Sequence, residues 1–186
     1  MPKIADIEDT PNPNAKKFIL REPLTWGIAR SYENAAQAQA DPLAAALFTI
    51  AHVTNVFYFD RWITVTQDGG VDWLELSRAV AEPIRAAPAA SAQSAATVAA
   101  ASTAIADLGP EDQRRLDDIN ALLDEHIRPY LQGDGGDLYI VGLDGNRLAV
   151  HYQGACGSCP SSLSGTLAGI ENLVKSIEPD IEVIAV

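Results

Sequence analysis

Between Ala86 and Asp107 the chain runs AAPAASAQSAATVAAASTAIAD, mostly alanine with small polar residues, one proline and no aromatic ring. Such a segment has little apolar surface to bury, so a single core cannot be built through it. A chain of 186 residues is long enough for one medium domain or two small ones. The interruption favours two: an N-terminal domain over 1–85, a linker over 86–109 and a C-terminal domain over 110–186. As a flexible coil, about 22 residues would span roughly 25 Å, and as a continuous helix about 33 Å. Alanine favours the helix, and composition alone leaves both open.

The formal net charge is −12, from 25 acidic and 13 basic side chains. Phosphate contacts need clustered Lys and Arg, so nucleic acid is not an expected partner. Anionic membrane surfaces are excluded on the same ground, and no stretch approaches the roughly 20 apolar residues of a membrane span. The plainest use of the charge is solubility. The opening residues, Met1 to Thr10, contain no apolar run and several acids, which argues against a signal or transit peptide. The two cysteines, Cys156 and Cys159, stand three positions apart, which is no basis for a disulfide scaffold. The expected setting is therefore a reducing one, the cytoplasm.

Both halves mix helix and strand signals, giving two small α+β domains. In the first, Lys17 to Leu20 reads as a strand after the turn-rich Thr10-Pro11-Asn12-Pro13-Asn14. Asp41-Pro42 is an N-cap with a first-turn proline, opening a helix to about Ala51. Val53 to Phe59 and Trp62 to Thr66 read as strands joined at Asp60-Arg61, and Val71 to Ala86 follows the Asp68-Gly69-Gly70 turn as an amphipathic helix. In the second half, Leu116, Ile119, Leu122, Leu123 and Ile127 recur at helical spacing from Pro110 to about Arg128, where Pro129 limits the helix. Leu138 to Leu143 and Arg147 to Tyr152 are strands around the hairpin signal Asp144-Gly145-Asn146. Leu163, Leu167, Ile170, Leu173, Val174 and Ile177 mark another helix, ended by Pro179, and Ile181 to Val186 can add a last strand. The order is helix, strand, strand, helix, strand.

Chemistry concentrates in Gly154-Ala155-Cys156-Gly157-Ser158-Cys159-Pro160-Ser161-Ser162, with the CxxC at the start of the second helix. A strand delivers Cys156, and Pro160 suits a helix's first position. Both sulfurs would then face unpaired backbone N–H groups and the positive end of the helix dipole, which favours thiolate, the form that binds metal. Gly154 and Gly157 permit close backbone approach.

Several readings compete. Two buried cysteines behaving as small apolar residues would sit on an apolar stripe, whereas these lie in a Gly/Ser/Pro loop. A dithiol oxidoreductase of thioredoxin type also places CxxC at a helix start. Only about nine residues remain beyond the helix, however, too few for the rest of that fold, and Pro179 at the helix's far end is the sole candidate for its partner proline. Zinc and an iron–sulfur cluster usually take four protein ligands, and one chain supplies two thiolates. Either two chains share the metal, or histidine completes the set. His151 lies nearest, while His126 on the preceding helix and His52 in the first domain are poorer candidates. Thiolates suit iron and zinc alike.

The residues of the second domain resemble the NifU-like C-terminal domain, also called the Nfu domain. The resemblance rests on Leu122-Leu123 through Ile127-Arg128-Pro129, Gly133-Asp134-Gly135-Gly136-Asp137, the cysteine loop, and Gly169-Ile170-Glu171-Asn172-Leu173. The first domain resembles the Nfu N-terminal domain through Thr10-Pro11-Asn12-Pro13-Asn14-Ala15, Phe18, Asp41-Pro42-Leu43-Ala44 and the Val53–Thr66 strand pair. The resemblance implies a non-enzymatic scaffold or carrier. It would bind a [4Fe–4S] cluster between two subunits through Cys156 and Cys159, receive or assemble it with upstream cluster assembly proteins, and give it to apo iron–sulfur proteins. The Asp134–Asp137 loop matches a family signature, and turn geometry with N–H capping explains it better than metal ligation, since hard oxygens suit soft-sulfur chemistry poorly. The first domain has no cysteine. Trp26, Trp62 and Trp73 serve packing at least as readily as recognition, and client or donor recognition is what family analogy implies for that domain.

Overall fold

The computed structural model describes residues 2–25, 27–88, 109–157 and 160–186, the last without the side chains of 160–164. The chain divides into two compact units, Met1–Val98 and Ala99–Val186. Most of the expected linker, and Trp26, lie outside the described residues.

The first unit carries β1 (Ile4–Asp9), β2 (Ala15–Leu20), β3 (Arg30–Tyr32), α1 (Ala35–Ala38), α2 (Pro42–Phe48), β4 (Val53–Phe59), β5 (Trp62–Gln67) and α3 (Trp73–Ala86). Its sheet has the order β1-β2-β5-β4-β3, antiparallel throughout. Alternation along the central strands sends Phe18, Val56, Tyr58, Ile63 and Val65 to one face, where they pack with Leu43 and Leu47 of α2 and Leu76, Val80 and Ile84 of α3.

Two strands of this sheet were not expected. The acids of β1 do not alternate with apolar residues, so they carry no strand signal. They are an edge strand's solvent-facing charges, set in register against lysines of β2, Glu8 opposite Lys17 and Asp9 opposite Lys16. β3 is three residues long, too short for a periodic signal. The helix expected to reach Ala51 stops at Phe48, and His52 beyond it takes a left-handed backbone with φ of 74°.

Asp41 organises this unit. It is 6% exposed, and its Oδ1 accepts from the N–H groups of Leu43 (3.0 Å) and Ala44 (3.1 Å) as the α2 cap. Its Oδ2 accepts from Arg30 (2.7 Å), from Tyr32 (3.0 Å) and from the Tyr58 hydroxyl. Burial pushes the Asp41 pKa up. The hydrogen bonds from Tyr58, Ala44, Arg30 and Tyr32 outweigh it and hold the carboxyl below its usual range. The charged carboxylate thus joins β3, α2 and β4.

In the second unit the elements are α4 (Pro110–His126), α5 (Arg128–Gly133), β6 (Gly136–Asp144), β7 (Arg147–Gly154), α6 (Pro160–Val174) and β8 (Glu182–Ala185). The α+β class stands, with one element more than expected: α4 ends at His126, ahead of Pro129 as expected, and Pro129 then lies in the first turn of the added α5. A proline there loses no hydrogen bond. β6 and β7 form an antiparallel hairpin through Gly145-Asn146, with Gly145 at φ of 59°. β8 adds parallel to β7, so the connection must cross over, and α6 is that crossover. Leu116, Ile119 and Leu123 of α4, Ile170 and Val174 of α6, and Leu138, Leu148, Val150 and Tyr152 of the sheet form the core. Each such side chain contributes about 2 kcal/mol by burial. Arg115 of α4 grips Glu178 with two hydrogen bonds (2.9 and 3.1 Å) and donates to the Gly145 carbonyl at 3.0 Å, tying helix, hairpin tip and the turn after α6 together.

Because the folded pKa of Asp41 is depressed, its charge stabilises the fold fully above the unfolded value of about 3.9. That contribution drains away as pH falls through the lower folded value. In urea melts followed by tryptophan fluorescence, whose three tryptophans all belong to the first unit, Asp41→Asn is expected to lose about 2–3 kcal/mol at pH 7. The gap to wild type should shrink below about pH 4. A gap that stays constant down to pH 2 would show that the charge contributes nothing.

Candidate metal centre

The cysteine loop is fixed by glycine. β7 ends at Gly154, whose φ of 64° turns the chain where a side chain would strain it. The Gly157 N–H then donates to the Gly154 carbonyl (3.2 Å), and the Ala155 N–H donates to the carbonyl of Gly135 (3.2 Å). Gly135, with φ of 82°, belongs to the acid-glycine loop that leads into β6. The two loops are thus stitched side by side at the end of the hairpin, where Gly136 pairs with Gly154.

Cys156 is 2% exposed and belongs to the core of the unit. The sequence places it in a Gly/Ser/Pro loop and not on an apolar stripe; the structure nevertheless tucks its side chain into the core. The space comes from Gly136. A Cβ there would lie 2.6 Å from the Cys156 sulfur and 2.6 Å from the Gln153 carbonyl oxygen, inside any permitted contact. Gly157 is nearly as confined, since a Cβ would meet the Tyr152 carbonyl oxygen at 3.0 Å. Sequence reading assigned the acid-glycine loop to turn geometry, which Gly135 bears out. It missed the seat that Gly136 gives the sulfur, because only tertiary pairing brings residues 136 and 156 together.

Asp137 of the same loop is buried. Its carboxylate accepts from the Leu138 N–H (2.8 Å) and Gln132 (3.2 Å), with Arg128 at 3.7 Å. Burial raises its pKa, partly countered by those donors. These bonds are the N–H capping expected of the acid-glycine loop.

The histidines are not brought to Cys156. His151 points to the opposite face of β7 from the buried Tyr152. Its Nδ1–H donates to the Val186 carbonyl at 2.7 Å, and its ring lies 5.1 Å from that of Tyr139. His126 is an exposed residue on α4, and His52 pairs with Asp68 in the first unit. Among the described residues, no group of three or more His, Cys, Asp or Glu could hold a metal ion. Cys159 lies outside the described residues. In the first unit, the Trp73 indole N–H donates to the Pro13 carbonyl (3.0 Å), and Trp62 packs on Phe57 and Phe59 under the Lys17 ammonium. Both tryptophans have packing roles.

Sequence comparison adds the family. Residues 4–90 match the description "Scaffold protein Nfu/NifU N terminal", and residues 119–184 match the "NifU-like domain". A human protein named "NFU1 iron-sulfur cluster scaffold homolog, mitochondrial" is 34% identical over 94% of this chain, which spans 68% of its length. The chain belongs to the Nfu/NifU family. A Drosophila ananassae protein of the same name is 32% identical over 94% of the chain, which spans 61% of it. "NifU-like protein 5, mitochondrial" of Arabidopsis thaliana is 32% identical, with 94% of this chain and 67% of that one covered.

These names overturn the cytoplasmic placement, since all three relatives are called mitochondrial. The chain spans about three fifths to two thirds of its relatives, so the acidity of Met1 to Thr10 is no test of targeting. Among the described residues no helix is long and apolar enough to cross a membrane.

Replacing Gly136 by alanine should force the Cys156 sulfur or the Gln153 carbonyl aside and cost about 1–3 kcal/mol. Gly142, where a Cβ would meet nothing within 4 Å, supplies the control, with Gly142→Ala expected within about 0.5 kcal/mol of wild type. Urea midpoints and the rate of Cys156 alkylation in the metal-free protein check both. Equal stability and equal alkylation for the two variants would mean that Gly136 does not seat the sulfur.

Proposed function

We propose that this chain is an iron–sulfur cluster scaffold and carrier whose cargo, a [4Fe–4S] cluster, is held between two copies through Cys156 and Cys159 of each. The observation that carries the reading is the seating of Cys156 against Gly136 in a unit of the NifU-like family, where the described residues bring no histidine to the sulfur. A cluster takes four protein ligands, and one chain offers two thiols. Two chains complete the set. The residues fit such cargo: the sulfur is soft, and its loop contains Gly154 and Gly157 in place of competing side chains.

Sharing explains transfer. Cluster loading and dimerisation favour each other, because the cluster binds the pair and not the single chain. When the subunits part, or when thiolates of an apo-protein displace one cysteine pair, the cluster moves on. Upstream assembly proteins would load it and apo iron–sulfur proteins would receive it. No step requires turnover, so the chain acts as a binding module and not as an enzyme.

The division of labour follows the expected boundaries: residues 1–85 recognise clients or donors, 86–109 connect, and 110–186 hold the cluster. The relatives' names support a mitochondrial setting.

The test is anaerobic purification, reconstitution with iron and sulfide, and measurement of iron, sulfide, zinc and mass together. About four irons and four sulfides per two chains are expected, and Cys156→Ala or Cys159→Ala should abolish them. Dilution of the loaded protein should accelerate cluster loss. A loss rate independent of concentration would sink the shared site. Zinc in a stable dimer, or a metal-free monomer with a reversible disulfide, would replace the carrier reading with a structural or redox one.

A further inference from the structure

Most cations of this acidic chain stand in ion pairs: Lys16 with Asp9, Lys17 with Glu8, Arg30 with Asp41, Arg115 with Glu178, Arg128 with Asp124 and Lys175 with Glu171. Lys3, Arg21 and Arg61 are exposed and have no ion pair among the described residues. The sheet of the first unit gathers these three, because β1, β2 and β5 are neighbours in that order. The Arg21 N–H donates to the Lys3 carbonyl (2.9 Å), and the Leu20 N–H donates to the Arg61 carbonyl (2.6 Å). Adjacent strands lie about 4.8 Å apart, so the three residues form a strip roughly 10 Å wide at one end of the sheet. Two acids share that end, and both meet backbone donors: Glu22 accepts from the Lys3 N–H (2.7 Å) and Asp60 from the Gly27 N–H (2.6 Å). A chain of net charge −12 thus keeps three neighbouring cations without carboxylates of its own.

We infer that this strip is a docking surface for a partner protein that presents closely spaced carboxylates. It rests on the reading of residues 1–85 as the part that recognises clients or donors, and names the chemistry of that recognition. A guanidinium fork takes a carboxylate through two parallel hydrogen bonds, and two of the three residues are arginines. The field of the whole chain repels an acidic protein at long range, so approach succeeds with the strip leading, which fixes the orientation of the encounter. A nucleic acid or an anionic bilayer is wider than the strip and would set its phosphates against the chain's own acids as well. A local acidic segment avoids that repulsion.

The experiment uses the metal-free full-length protein and a capped alanine-based peptide with glutamates four residues apart, neighbours about 5–6 Å apart on a helix. Binding is followed by amide chemical shifts at about 20 mM salt and again at about 200 mM. Shifts are expected at Lys3, Arg21 and Arg61 and should fade at the higher salt. Arg21→Glu combined with Arg61→Glu should weaken binding about tenfold. Arg78→Glu combined with Arg114→Glu makes the same change in net charge at residues that are also exposed and unpaired, and should weaken binding less than about threefold. Equal weakening by both double variants would reduce the strip to net charge, and shifts confined to another part of the protein would place the contact elsewhere; either overturns the inference. Phosphatidylserine vesicles that bind wild type and not the Arg21/Arg61 variant, with no binding of the peptide, would make the strip a lipid contact and overturn it too. The Arg21/Arg61 variant should load a cluster as wild type does, since both cysteines belong to the other unit. If wild type loads no cluster while the peptide binds the strip, the carrier reading falls and the acidic-partner surface stands. If the cluster loads and the peptide leaves the strip untouched, only the inference falls.

Discussion

The contact between the Cys156 sulfur and the backbone of Gly136 is the constraint on which the second unit's arrangement depends. It requires β6 to start at a residue without a side chain and β7 to end at a glycine that can turn with positive φ. The carbonyl of Gly135 must also receive the Ala155 N–H. These demands fall on the acid-glycine loop and the cysteine loop together, although some twenty residues separate them in sequence. Two glycine-rich segments that look like independent turns are one structural element. The polar residues beside them complete it: Asp137, held by Leu138, Gln132 and Arg128, pins the start of β6 to α5.

The first unit is held differently. Its polar centre is a charge: Asp41 draws an arginine and two tyrosines from β3 and β4 while capping α2. A carboxylate with that many donors is strongly directional, and it fixes how the short β3 segment meets the rest of the sheet. One unit thus uses an ionic hub within an antiparallel sheet, and the other a steric seat at the end of a hairpin. The family match spans both, and only the second carries thiols.

What the sequence showed and what it hid follow from the range of the forces involved. Local chemistry was legible. Asp41-Pro42 marked a capped helix, Asp60-Arg61 the turn between β4 and β5, Asp144-Gly145-Asn146 the hairpin, and the spacing of Leu116, Ile119 and Leu123 a buried face. The strand-to-helix setting of Cys156 was legible for the same reason. The hidden features depend on partners far along the chain. β1 is a strand because lysines of β2 stand opposite its acids, and Pro129 opens a helix because Ile127 breaks the one before it. The depth of Cys156 depends on β6, which no local pattern near residue 156 announces. His151 looked like a ligand candidate by proximity in sequence. Strand alternation sends it to the other face, where the Val186 carbonyl accepts its N–H.

The crossover through α6 has a kinetic consequence. β6 and β7 are joined by a two-residue turn, the kind of pairing that forms within microseconds. β8 must find β7 in parallel register only after an intervening helix has formed, a non-local closure that is intrinsically slower. The Cys156 turn lies between these two events, anchored early on its strand side and late on its helix side. During refolding it therefore passes through a stage in which one arm is native and the other is still searching.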